Sequence, residues 1–98
     1  MGTILGSKMK GEGKVIFEVL LDYNEALHLH GNMHNIHLFS EDNADTKAVI
    51  SSRGKRSSTK YFLVPREQRN DLAMEKEVTC QRIELKDKVI FVYIVEKR

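Results

Sequence analysis

The sequence predicts a small, mainly β domain with one short helix. Short apolar runs rich in β-branched and aromatic residues alternate with turn-forming Gly, Asn and Asp. A length of 98 residues fits one domain, and an apolar fraction of 41% is too high for a disordered chain. We therefore expect a flexible N-terminal tail over residues 1–13 and a single β-rich domain over residues 14–98.

The tail assignment depends on glycine content, since four of the first thirteen residues are Gly. The same segment has no apolar core of signal-peptide length, and Gly6 stands where myristoylation requires Ser or Thr. No stretch of the sequence approaches the roughly 20 apolar residues of a membrane span. Cys80 is the only cysteine, which excludes an intramolecular disulfide and fits a reducing compartment. We expect a cytoplasmic protein with no membrane partner.

The first half of the domain predicts a strand followed by a hairpin. Residues 14–21, KVIFEVLL, are apolar and rich in β-formers, and residues 22–24 provide a turn. Residues 26–30, ALHLH, alternate with a period of two. A tight turn at residues 31–32, Gly-Asn, then leads into an extended run over residues 33–39.

The second half predicts two strands, a helix and a further hairpin. A short strand over residues 47–51 is followed by a basic loop and by a strand over residues 60–64. Pro65 ends that strand and suits the first position of a helix that runs to Met74. Residues 77–85 and 88–97 are two more strands, joined at Lys86 and Asp87.

Positive charge is concentrated in one part of the chain, residues 47–69, which we call the basic segment. It contains seven Lys or Arg and a single acid, Glu67, whereas the whole chain has a net charge of +2. Local positive charge of this kind favours a surface that neutralises nucleic-acid phosphates and releases counterions. A solvated loop is the other reading of this pattern. The candidate nucleic-acid-binding residues are Arg53, Lys55, Arg56, Lys60, Arg66 and Arg69.

All four histidines fall within ten residues of one another, in the stretch where the first hairpin is predicted. On a strand, His28 and His30 share one face, and the turn would bring a third imidazole towards them. Three converging imidazoles would suit zinc, copper or nickel, although the spacing matches no standard structural zinc site. We expect surface or interface histidines instead of a metal site. The metal-ligand candidates are His28, His30, His34 and His37, and no metal or other cofactor is assigned.

From Tyr61 to Val95 the order of features resembles the AbrB/SpoVT family of swapped-hairpin transcription factors. That pattern is an apolar strand, a proline, a Lys/Arg-Glu-x-Arg turn, a leucine, a hydrophobic or small residue, an acidic corner and two strands. The matching residues are Phe62 to Val64, Pro65, Arg66 to Arg69, Leu72, Met74, Glu77 and Val78, Thr79 to Leu85, and Lys88 to Val95.

The resemblance implies a swapped-hairpin fold and a homodimer whose hairpins interleave. It also implies that the basic loops of both subunits face DNA, with Arg66 and Arg69 on the short helix. From the residues alone, a small β-barrel is the alternative architecture.

The first hypothesis for function is therefore a dimeric, DNA-binding transcriptional regulator that contacts phosphates through a basic loop. A small β-rich RNA-binding domain is the second, because a basic loop beside aromatic residues would serve RNA equally. A protein-interaction or metal-binding module built on the histidine hairpin is the third. An enzyme is not expected, because the sequence contains no nucleophile elbow, phosphate-binding glycine loop or metalloprotease motif.

Overall fold

The computed structural model describes residues 1–73 and 75–98, and within them the chain is mainly β with one short helix. The helix, α1, spans Tyr23–Ala26 and continues into a 3-10 turn over Leu27–Leu29. The predicted fold class is confirmed at this level. The strands are β1 (Thr3–Lys10), β2 (Lys14–Leu20), β3 (Val49–Arg53), β4 (Thr59–Leu63), β5 (Thr79–Glu84) and β6 (Val89–Ile94).

Consecutive strands pair into three antiparallel, two-stranded sheets: β1 with β2, β3 with β4, and β5 with β6. No sheet closes into a barrel within the part of the chain that the structure describes. The residues form two compact units, one containing 1–36 and 83–90, the other 37–82 and 91–98. The single domain expected over residues 14–98 stays a prediction. In the described residues, no helix is long and apolar enough to cross a membrane.

In the first unit, β1 and β2 form a hairpin whose register runs from Thr3 opposite Leu20 to Lys10 opposite Lys14. A β-bulge interrupts the pairing between Ile4 and Gly6. The N-terminal segment was expected to be a flexible tail, whereas most of it forms β1. The physical reason is that β2 offers a free edge for pairing, and the glycines after Lys10 form the turn of the hairpin.

The amino group of Met1 lies beside the start of α1. It donates hydrogen bonds to the carboxylates of Glu25 and of Asp22, the latter at 3.3 Å. The hydrogen bond to Glu25 is the main cause of a raised pKa for this amine, and desolvation acts in the opposite direction. The contact connects the chain terminus to the residues that begin α1.

The hairpin predicted over residues 26–39 is not formed. Instead, the carbonyl oxygen of Asp22 accepts hydrogen bonds from the amides of Glu25 and Ala26, at 3.0 and 3.1 Å, and so begins α1. His30 ends the following 3-10 turn with a left-handed φ of 51°. The alternation in residues 26–30, ALHLH, therefore did not indicate a strand. Leucines two residues apart also occur in short helical turns such as this one.

The helix predicted from Pro65 to Met74 is also wrong. The observed element is a 3-10 turn over Arg66–Gln68, and Asp71 takes a left-handed φ of 62° that a continuing helix excludes. A helix of two turns persists only if packing supports it. The last residue of the prediction, Met74, lies outside the described residues.

The second unit contains the β3–β4 hairpin, with five paired residues from Val49 opposite Leu63 to Arg53 opposite Thr59. The strands predicted here are confirmed, although β3 extends two residues into the predicted basic loop. The hairpin of β5 and β6 is confirmed as well, and the Leu85 amide donates to the Lys88 carbonyl oxygen at 2.9 Å in its turn.

Very little of the second unit is buried. Ala73 is 1% exposed and is the one buried hydrophobic residue that the structure describes. Its amide donates to the carbonyl oxygen of Glu96 at 2.9 Å. The amide of Arg98 donates to the carbonyl oxygen of Asp71, also at 2.9 Å. The end of the chain therefore pairs with the segment that follows the Arg66–Gln68 turn.

Gly54 ends the β3 side of its hairpin with φ 88° and ψ 178°, a conformation that is essentially restricted to glycine. An added Cβ would lie 3.1 Å from the Ser58 Oγ atom. We predict that Gly54→Ala lowers the free energy of unfolding by about 1–3 kcal/mol, measured by urea denaturation. Gly6→Ala is the matched control, because nothing lies within 4 Å of a Cβ there. Equal effects of the two substitutions would contradict the prediction.

Candidate nucleic-acid interface

Four of the six candidate cations lie at the turn end of the β3–β4 hairpin. The turn is a 3-10 turn over Lys55–Ser57, in which Arg56 and Ser57 have left-handed φ values of 58° and 53°. The amide of Ser57 donates to the carbonyl oxygen of Gly54 at 3.2 Å, and the amide of Ser58 donates to the carbonyl oxygen of Lys55 at 3.2 Å. These bonds hold a tight turn that presents Lys55 and Arg56 in exposed positions at the tip.

Arg53 lies on the same face of the hairpin as Tyr61, because its cross-strand partner Thr59 is two residues from that tyrosine. The guanidinium carbon of Arg53 is 5.8 Å from the centre of the Tyr61 ring. An exposed cation–π contact of this kind contributes about 0.5–1 kcal/mol. The half-buried ring therefore supports the guanidinium at one face and leaves its N–H groups open to solvent.

Lys60 lies on the opposite face, paired with Ser52. Its ammonium nitrogen donates to the Ser52 Oγ atom at 2.7 Å. Phe62 follows on the same face, 51% exposed, with its ring centre 5.9 Å from that of Phe91 and the rings inclined at 43°. Lys60 and Arg53 therefore point to different sides, and the candidate residues do not form one flat patch.

The last two candidates follow β4 and differ in their surroundings. Arg66 is exposed in the 3-10 turn, whereas the Arg69 Nε atom donates to the carbonyl oxygen of Val64 at 2.7 Å. That bond holds Arg69 against the end of β4, so this arginine has a structural role that sequence reasoning missed. It also lines an open apolar recess of about 350 Å³, whose other lining residues are Phe62, Leu63, Val64 and Leu72.

Each of these six residues is exposed. None of them takes part in an ion pair among residues 1–73 and 75–98. Two ion pairs of the second unit lie elsewhere, between Lys76 and Glu96 at 3.1 Å and between Arg98 and Glu75 at 3.6 Å. The hairpin tip and the turn after β4 are therefore open, cationic surface.

The structure does not bring the four histidines together on one hairpin. His28 is half-buried in the 3-10 turn after α1, and the other three are exposed, His30 at the end of that turn and His34 and His37 in irregular chain. In the described part of the chain, no three His, Cys, Asp or Glu side chains are placed to hold a metal ion. The strand periodicity that would bring imidazoles together is not present here, because His28 lies in a 3-10 turn and His30 ends it.

A comparison of this chain with family models, curated proteins and solved structures gives no match. The resemblance to the AbrB/SpoVT family and the function that it implies stay predictions. Sequence reasoning found the cations but missed their local partners, Ser52, Tyr61 and the carbonyl group of Val64. The first two could have been found from the register of a hairpin closed at Gly54, since residues directly or diagonally opposite one another come into contact.

The different surroundings of the two arginines generate a prediction. Arg69→Ala removes a hydrogen bond from a charged group and the packing of its aliphatic stem, so we expect a loss of about 1 kcal/mol in the free energy of unfolding. Arg66→Ala removes an exposed side chain with no such bond and should change stability by less than about 0.5 kcal/mol. Urea denaturation of both variants measures the difference, and equal stabilities would show that the bond to Val64 contributes nothing.

Proposed function

We propose that this chain is a subunit of a dimeric, DNA-binding transcriptional regulator that contacts phosphates through the tip of the β3–β4 hairpin and the turn after β4. One observation carries the proposal: the cations on these two elements are exposed, and none of them takes part in an ion pair among residues 1–73 and 75–98. The order of features shared with the swapped-hairpin AbrB/SpoVT family supports the same class. No catalytic role, cofactor or membrane contact is part of the proposal. A cytoplasmic location is part of it, because the lone Cys80 needs no oxidising compartment.

The residues at the tip have different tasks in this proposal. Arg53 and Arg56 offer planar forks that can bind a phosphate through two N–H groups, while Lys55 supplies a compact charge. The Tyr61 ring restricts the guanidinium of Arg53 and so reduces the entropy lost on binding. Each phosphate that is neutralised releases counterions, which provides affinity that does not depend on base sequence.

A two-stranded antiparallel ribbon has the dimensions to enter the major groove of B-DNA, and the β3–β4 hairpin is such a ribbon. α1, the one α-helix that the described residues form, spans four residues and is too short to serve as a recognition helix. Backbone contacts and DNA shape are therefore expected to contribute more than the reading of base edges.

An RNA-binding domain is the second candidate, and one observation favours it. Phe62 is half-exposed and lies on the same face as Lys60, two residues away along β4. An aromatic ring beside a cation is the arrangement on which unpaired bases stack, typically with about 1–3 kcal/mol per base. Stronger binding to single-stranded RNA than to duplex DNA would favour this candidate.

We predict that replacing Arg53, Lys55 and Arg56 together by alanine weakens duplex binding by a similar factor for unrelated sequences. The slope of log K against log salt should become shallower by up to about 3, because each phosphate contact contributes about 0.9. The measurement is a titration of labelled duplex DNA at several salt concentrations, repeated with single-stranded RNA.

The matched control replaces Lys8, Lys10 and Lys14, which lie in β1 and at the start of β2, by alanine. It removes the same charge from the chain but leaves the β3–β4 hairpin intact. If the two triple variants lose affinity equally, net charge explains the binding and the hairpin tip is not the site. A folded tip variant with unchanged affinity would exclude the tip directly.

A further inference from the structure

The recess at the end of β4 combines apolar walls with a single charged group. Its volume of about 350 Å³ falls within the range of small-molecule sites, roughly 300–1,000 Å³. Of its described lining residues, Arg69 alone carries a charge, and the others are Phe62, Leu63, Val64 and Leu72. A concave apolar surface with one placed polar group is the usual composition of a ligand site.

The walls of the recess are held by contacts within the second unit. The backbone of Leu72 forms an antiparallel bridge with Lys97. The Phe62 ring lies beside that of Phe91, with 5.9 Å between the ring centres. The Arg69 Nε atom donates to the carbonyl oxygen of Val64 at 2.7 Å, which fixes the arginine against the opposite wall. The recess is therefore formed in advance, and a ligand that enters it loses less free energy to ordering the protein.

The guanidinium of Arg69 keeps donors to spare. Its Nε–H group is used by the Val64 carbonyl oxygen, and among residues 1–73 and 75–98 the terminal N–H groups have no hydrogen bond or ion pair. A fork of this kind matches a carboxylate, which accepts parallel N–H bonds on its two oxygens. The charge of the recess thus favours a ligand with one anionic end.

We infer that the recess binds a small aliphatic acid, with its carboxylate on the Arg69 guanidinium and its alkyl chain against Phe62, Val64 and Leu72. A neutral apolar molecule would desolvate the guanidinium without pairing its charge. A polyanion such as nucleic acid would bring neighbouring charges against walls that offer them no partner. One negative charge at the end of one apolar chain fits both features. This binding needs no nucleic acid and is therefore independent of the proposed function.

The first test compares two probes that share a chain and differ in charge, octanoate and 1-octanol. Calorimetric titration of the wild type at about pH 7, where the acid is ionised, measures both affinities. Octanoate should bind at least about tenfold more tightly, because a hydrogen bond to a charged group contributes that much. Equal affinities, or no binding of octanoate, would overturn the inference.

Chain length tests the apolar part of the site. Each CH₂ group that enters the recess should raise the affinity by up to about fourfold, so hexanoate should bind more weakly than octanoate. Acids that bind equally well whatever their length would show an ion pair at the surface only. That result would also contradict a site in the recess.

Substitution and chemical-shift mapping locate the site. Arg69→Gln should reduce the affinity for octanoate to that for 1-octanol, whereas Arg66→Gln, which removes the same charge outside the recess, should leave it unchanged. In ¹⁵N-labelled wild type, octanoate should shift the amide signals of Phe62, Val64 and Leu72. Shifts confined to the exposed apolar residues of β1–β2 would overturn the inference.

The test does not depend on the folding of one variant. If Arg69→Gln fails to fold, the comparison of octanoate with 1-octanol and the shift map, both made on the wild type, still decide the question. Duplex titration without octanoate decides the proposed function separately, because either kind of binding can be lost while the other remains.

Discussion

Each strand in the described chain has a single hydrogen-bonded neighbour, and most features of this protein depend on that restriction. A two-stranded pair leaves both of its faces and both of its outer edges open, so side chains of β1 to β6 remain largely in water. Apolar burial, at about 25 cal/mol per Å², is the main favourable term in folding. Among the described residues, Ala73 is the one buried hydrophobic side chain, so the hairpins contribute little of this term by themselves.

The same geometry separates the two surfaces that the chain offers. Cross-strand register places Val15, Phe17 and Val19 on one face of β1–β2 and the lysines of that hairpin on the other. On β3–β4 the register divides the cations, with Arg53 over Tyr61 on one side and Lys60 with Ser52 on the other. A dimer would present each cationic tip twice, which raises the effective affinity for a symmetric site.

How well an element could be predicted from the sequence depended on how far apart along the chain its interacting residues are. The strands β2, β3 and β4 and the β5–β6 hairpin were predicted because apolar runs and turn residues specify them locally. The hairpin predicted over residues 26–39 was wrong because alternation over five residues also fits a short helical turn. Here that turn begins with hydrogen bonds to the Asp22 carbonyl oxygen. The N-terminal glycines were read as a tail, although in the structure they form a turn and a bulge beside a pairing strand.

The sequence alone determined the β-rich character of the chain and the concentration of cations between residues 47 and 69, because both follow from residue type and near neighbours. Tertiary structure decided which side chains share a face, since one residue of register moves a side chain to the opposite side of a sheet. It also placed the Arg69 Nε atom where it donates to the Val64 carbonyl oxygen. His28 and His30 lie in and at the end of a 3-10 turn and not on a common strand. Contacts between residues that are distant along the chain depend on the register and turns of the folded backbone, which local patterns do not encode.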